Sequence, residues 1–179
     1  MIDPLMTEKG PMTEQWFKRK FAFDLPASRY PNVLERLRGT PARVEERTRS
    51  LLHELLVRRL DDRWSIQENV GHLVDLEPLW LRRVKQFVAG AVELEPTDLA
   101  NRATHEANHN SRPLSELLAE FRERRRQLID VMSAVDDAVI ERSALHPRLR
   151  TPMRLIDHAF FVAEHDDHHL ATIASLLTR

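Results

Sequence analysis

Glu164-His165-Asp166-Asp167-His168-His169 lies near the C-terminus, inside an apolar-periodic run that follows Thr151-Pro152. Periodicity of that kind reads as a helix. On a helix, residues four apart sit one above the other, so His165 and His169 face the same way. Two imidazoles at that spacing can hold one divalent metal ion, with a third ligand supplied by another element. His168 points about 100° away from the pair and reads as facing a neighbouring helix or solvent, with a substitute ligand as the alternative. His158 lies two turns earlier on the same face and reads as second-sphere or pocket-lining.

Working outward, the best-announced helix precedes this one in the chain. Ser65-Ile66-Gln67-Glu68 has the form of a capping box, and Gly90 supplies a stop. A helix is expected over 65–89, with Val70, Leu73, Leu76, Trp80, Val84 and Phe87 as its apolar face. Pro78 inside it should displace the bond to Val74. His72 lies beside that face. Apart from His53, it is the only histidine in a well-defined helix outside the last one, which makes it the best third ligand. Ring N–H partners for these imidazoles are sought among Glu68, Asp75, Glu164 and Asp166.

A third long helix is expected from Pro113 to about Val135. Arg122, Arg124, Arg125 and Arg126 read as its solvated side, with the alternative that Arg125 turns inward to bind an anionic substrate group. Before the capping box, Pro31 to Leu37 reads as a short helix closed by Gly39. Thr40-Pro41 then caps and opens a longer one. The last helix is expected from Pro152 to Leu177 with Thr151 as its cap. Residues 91–112 and 136–150 read as irregular connections. The first holds His105 and His109, a four-residue spacing that reads as polar surface because helical geometry is not given there. Trp16, Phe17, Phe21 and Phe23 read as rings packed over a bundle edge, or as a lid. Residues 1–28 are expected to be an extension, partly disordered or packed on the bundle, ahead of a bundle domain over 29–179.

Composition narrows the chemistry. The chain has 179 residues, enough for one domain with a core. It has four glycines and little strand-like alternation, which favours an all-α fold. Four long helices with two long connections describe a four-helix bundle, whose metal sites form from facing core side chains. There is no cysteine, so thiolate ligands and cysteine nucleophiles are excluded. A formal net charge of −1 gives no reason to expect nucleic acid or an anionic membrane as partner. No apolar run approaches a membrane span. The N-terminus lacks the apolar core of a signal peptide, so a cytoplasmic protein is expected.

Several segments together resemble the DinB family of DinB/YfiT-like metal-dependent enzymes. They are Trp64-Ser65-Ile66-Gln67-Glu68-Asn69 with Gly71-His72-Leu73; Thr104-His105-Glu106-Ala107-Asn108-His109-Asn110; Phe121-Arg122 with Arg125; His146-Pro147-Arg148-Leu149; and Phe161 to Leu170. The resemblance implies a four-helix bundle of up-down-down-up topology, commonly a homodimer. It also implies a three-histidine divalent-metal site, which falls here on His72, His165 and His169. The metal would be zinc, nickel, iron or manganese, since imidazole selects poorly among them. Family members resemble thiol S-transferases or isomerases using low-molecular-weight thiols, and the family name reflects induction by DNA damage. The expectation is therefore a metal-dependent transferase or hydrolase acting on a small molecule. The alternative is a non-enzymatic metal-binding stress-response protein whose ion is closed off by a fourth ligand such as His168. No catalytic residue is assigned, though Glu68, His158 and Asn108 are candidates for orienting a substrate.

Overall fold

Four long helices carry the fold: α1 (Tyr30–Thr48), α3 (Ile66–Ala89), α5 (Leu114–Ser133) and α7 (Leu155–Leu177). Shorter helices α2 (His53–Val57), α4 (Arg102–Glu106) and α6 (Asp137–Ile140) lie in the connections, as does a hairpin of β1 (Ser143–His146) and β2 (Thr151–Arg154). The computed structural model describes residues 15–178, so the first half of the extension expected over 1–28 lies outside them.

The ends of α3 follow its sequence signals. Ser65 Oγ accepts from the Glu68 N–H at 3.1 Å, and the Glu68 carboxylate accepts from the Ser65 N–H at 2.9 Å. Gly90 closes the helix in the left-handed region at φ 74°, where a side chain would be strained.

Cross-links between helices give the directions. Tyr30, at the start of α1, bonds the Met132 carbonyl at the end of α5, so these two run antiparallel. Gln67, at the start of α3, donates to the carbonyls of His109 and Arg112 just before α5, so α3 and α5 start at the same end. Asn69 near the start of α3 meets His169 late in α7, while Phe87 near its end meets His158 early in α7. The bundle is therefore up-down-down-up. The long 90–113 connection carries the chain back along α3, and this return lets two consecutive long helices lie parallel. One apolar cluster joins Leu37, Trp80, Phe87, Leu128 and Ile156; a second, at the other end, joins Val44, Val70, Leu73, Phe121 and Ile173.

Three helix boundaries differ from the sequence expectation. Residues 30–48 form one helix, with Gly39 and Pro41 inside it, instead of a short helix followed by a capped second one. Pro41 has no N–H for the Leu37 carbonyl, and Arg125 Nη1 donates to that carbonyl instead, at 2.9 Å. Pro78 leaves the Val74 carbonyl without its helical donor, and Arg124 Nη1 supplies one at 3.1 Å. Both proline gaps are thus filled by arginines of α5, a tertiary compensation with no local signal. At the third boundary, Thr151 and Pro152 belong to β2, and α7 begins at Leu155, where Asp157 accepts from the Arg154 N–H at 3.0 Å. The 136–150 connection is correspondingly not irregular throughout, because β1 and β2 pair in antiparallel register.

Arg125 does turn inward, but its partners are protein carboxylates. It meets Glu77 at 2.5 Å and Asp166 at 2.6 Å, and all three side chains are buried. Burial opposes its charge, yet the two carboxylates outweigh it and keep the guanidinium protonated. No donor is left for a substrate anion, so the substrate-binding expectation for Arg125 does not hold.

Candidate metal centre

α3 and α7 place His72, His165 and His169 in contact. The ring centroids of His165 and His169 are 4.6 Å apart, as their spacing of one turn requires, and His72 lies 4.8 Å from His169 and 5.3 Å from His165. Each ring offers one nitrogen within 4.8 Å of the other two, and all three residues are buried. The sequence-expected trio is thus brought together.

Hydrogen bonds fix two of the tautomers. The Thr104 hydroxyl donates to Asp75 at 2.8 Å, so it can only accept from His72 Nδ1, 2.9 Å away. His72 therefore carries its proton on Nδ1 and keeps a lone pair at Nε2. Asn69 Nδ2 donates to the Ser65 carbonyl, which orients its Oδ1 toward His169 Nδ1 at 2.8 Å. That arrangement likewise leaves Nε2 of His169 as the lone-pair nitrogen. His165 has no such support: its Nδ1 is buried without a partner among the described residues. Burial pushes His72 down to about 4 and holds His165 and His169 well below the usual imidazole range. The trio is neutral at physiological pH, the state that ligation needs.

The outer partners are mostly not those expected. Asp75 does serve, acting through Thr104. His109, read as surface, is buried and bonds Asp75 at 2.9 Å, while His105 is exposed as expected. Gly71 makes this possible, because a Cβ there would lie 2.6 Å from His109 Nδ1 and closer still to its ring carbons. Glu68 is taken by the capping box and Arg59, Glu164 by Arg36 and Arg19, and Asp166 by Arg125. Asn69 and Thr104 fall inside the segments that carry the family resemblance, without a role assigned to either there. Asn69 lies one turn before His72 on α3, a spacing that could have flagged it, whereas Thr104 is reached only through the folded connection.

A cavity of about 270 Å³ opens beside the trio. Its walls include all three tryptophans, Trp16, Trp64 and Trp80, together with Phe17 and Phe161. Trp16 stands edge-on to His165 at 5.1 Å and packs on Phe161. Of the N-terminal aromatics, Trp16 and Phe17 wall the site, while Phe21 and Phe23 pack on the bundle core. His168 lines the cavity and stands outside the three-nitrogen group, with its ring edge-on to His169. His158 does not line it. Its ring lies between Trp80 and Phe87, fully buried, with neither nitrogen partnered among the described residues.

An antiparallel-and-parallel helical bundle with three converging neutral imidazoles defines a class, helical proteins with a candidate divalent-metal centre between core helices. The chain matches the DinB superfamily over residues 36–173 and belongs to it. Its structure is similar to YfiT from Bacillus subtilis, described as a probable metal-dependent hydrolase with an unusual four-helix bundle topology. The TM-score is 0.80 at 19% identity, covering 90% of this chain and 93% of that one. It is also similar to a mycothiol-dependent maleylpyruvate isomerase, with a TM-score of 0.64 at 12% identity over 85% of this chain and 62% of the other. At these identities the likeness speaks for the fold. No curated protein matches by sequence. Among the described residues, no helix is long and apolar enough to cross a membrane.

Proposed function

We propose that this protein is a metal-dependent enzyme acting on a small molecule, with His72, His165 and His169 holding one zinc, nickel, iron or manganese ion. The observation that carries the reading is the trio itself: three buried neutral imidazoles whose nitrogens converge at the wall of an aromatic cavity. The orphaned His165 Nδ1 fits a ring held for ligation more than a core histidine satisfied by hydrogen bonds. Three protein ligands beside an accessible cavity match the pattern of catalytic sites, which leave a position for water or substrate. The chemistry such an ion supplies is acidification of a water or thiol at neutral pH. The chain's own part is to hold two ring tautomers through Thr104 and Asn69 and to exclude bulk water with Trp16, Trp64 and Trp80. The hydrolase and thiol-dependent isomerase descriptions of the two similar structures support water and a low-molecular-weight thiol as the nucleophiles to test. A homodimer is proposed on the family resemblance, with light scattering as its check.

The test is metal content by mass spectrometry on untagged protein, beside His72→Ala and His169→Ala. About one ion per chain is expected in the parent, with loss in both variants. A parent that takes up no zinc, nickel or manganese refutes the reading. A metal-loaded protein is then assayed for thiol transfer with glutathione, bacillithiol and mycothiol, and for ester and amide hydrolysis.

A further inference from the structure

Besides the histidine trio, the same cavity is lined by Arg83, Arg148 and His146, which the proposed metal chemistry does not use. Arg83 is 1% exposed and makes no ion pair with a carboxylate among the described residues. Its Nε donates to the Glu95 carbonyl and its face lies over Trp80, but its Nη2 is buried with no partner. Arg148 makes no ion pair among the described residues either. It stacks over Phe17 and Phe161, and its Nη2 is also buried and unpartnered. Contrast Arg125, as buried as Arg83, which is matched by two carboxylates. An unmatched buried charge is costly: burial and the nearby Arg148 both disfavour the charge of Arg83, and the Glu95 carboxylate that offsets them in part is paired with Arg82. The one carboxylate on the cavity wall, Asp98, is paired with Arg102.

His146 adds a second line of argument. Its Nδ1 is 3.2 Å from the Leu149 N–H, and its Nε2 is 3.3 Å from Arg83 Nη1. Both neighbours are donors. Burial and the two arginines push this ring down to about 3, so it is neutral and can accept at only one nitrogen. Whichever nitrogen accepts, the other ring N–H faces a donor; in the tautomer with Nδ1 accepting from Leu149, Nε2–H and Arg83 are two donors side by side with no acceptor. An oxyanion between them would satisfy both.

We propose that Arg83, Arg148 and His146 form an anion subsite, and that the substrate is an apolar small molecule bearing a carboxylate. The carboxylate would bind at these residues while the body of the molecule lies along Trp80 and Phe161 toward the histidine trio. Paired guanidiniums suit a planar carboxylate, which accepts from a guanidinium fork through both oxygens. The aromatic walls suit an apolar body, and the cavity volume admits a single-ring molecule. This deepens the proposed function and rests on the cavity being its substrate site.

The test uses the full chain, zinc-loaded and zinc-free, with phenylacetate and its neutral counterpart phenylacetamide as probes. Binding is read by tryptophan fluorescence, since every tryptophan of the chain walls the cavity. Phenylacetate is expected to bind at least about tenfold tighter than the amide, with or without zinc. Arg83→Gln and Arg148→Gln should each abolish that preference while bound zinc per chain stays as in the parent. Arg148 is only half-buried, so its variant keeps the test decisive if Arg83→Gln is poorly folded. Four results would each overturn the inference: no binding of either probe, equal binding of both, a carboxylate preference that survives both substitutions, or one that needs the zinc. A protein that takes up no zinc yet shows the arginine-dependent preference would sink the metal reading and leave the anion subsite standing.

Discussion

Gly71→Ala probes the support behind His72. Gly71 is inside α3, where alanine is ordinarily better than glycine by about 1 kcal/mol. Here the new methyl would meet the His109 ring at 2.6 Å from Nδ1 and closer at two carbons. The ring must move, because the helix backbone cannot, and overpacking of this kind costs about 1–3 kcal/mol. Movement also breaks the 2.9 Å bond from His109 to Asp75, a buried bond to a carboxylate worth about 1.5–3 kcal/mol. The net expectation is destabilisation by about 2–4 kcal/mol. Asp75 also accepts from Thr104, which positions His72. Zinc affinity should therefore fall by about tenfold as well, the lower end of what loss of an outer partner does. Urea denaturation of metal-free protein and a competitive zinc titration measure the two effects. Gly39→Ala is the control: it too lies within a helix, with nothing within 4 Å of its Cβ, and should stabilise by about 0.5–1 kcal/mol with zinc affinity unchanged. If Gly71→Ala behaves like Gly39→Ala, the steric argument and the relay through Asp75 are both wrong.

Asn69→Ala removes the acceptor that holds His169 Nδ1, and zinc affinity should drop about 10–100-fold; unchanged affinity in the same titration would mean the tautomer is set elsewhere. Arg125→Met strands Glu77 and Asp166 in the core and should cost about 3–5 kcal/mol, while the phenylacetate preference stays, since Arg125 has no donor facing the cavity; a near-neutral denaturation midpoint would contradict the buried triad. Metal-free protein should lose stability on acidification. Burial lowers His72 to about 4 and His146 to about 3, and holds His158, His165 and His169 well below their usual range. The unfolded chain then binds more protons below about pH 6.5, so stability is full above that value and falls as pH drops toward 4, by up to about 1.4 kcal/mol per pH unit for each such imidazole. Urea midpoints at pH 8, 7, 6 and 5 check this, and a flat profile from 7 to 5 would refute it.

Local rules fixed much of this protein from the sequence alone. The capping box and the left-handed Gly90 bound α3 because those interactions span only a few residues. His165 and His169 share a face because helical geometry demands it, and the position of His72 beside an apolar stripe made it the third candidate. What the sequence could not carry were contacts between distant segments. Arg125 and Arg124 fill the carbonyl gaps at Pro41 and Pro78, so helices continue where local propensity would break them. Pairing of Ser143–His146 with Thr151–Arg154 turned an expected helix cap into a strand. His109 became a buried prop because the 90–113 connection folds back onto Gly71, and a histidine in a connection has no local signal of burial. The two unmatched arginines are tertiary in the same way. A sequence shows that Arg83 and Arg148 are charged; only the packed structure shows that neither makes an ion pair among the described residues and that both line the cavity beside the histidine trio.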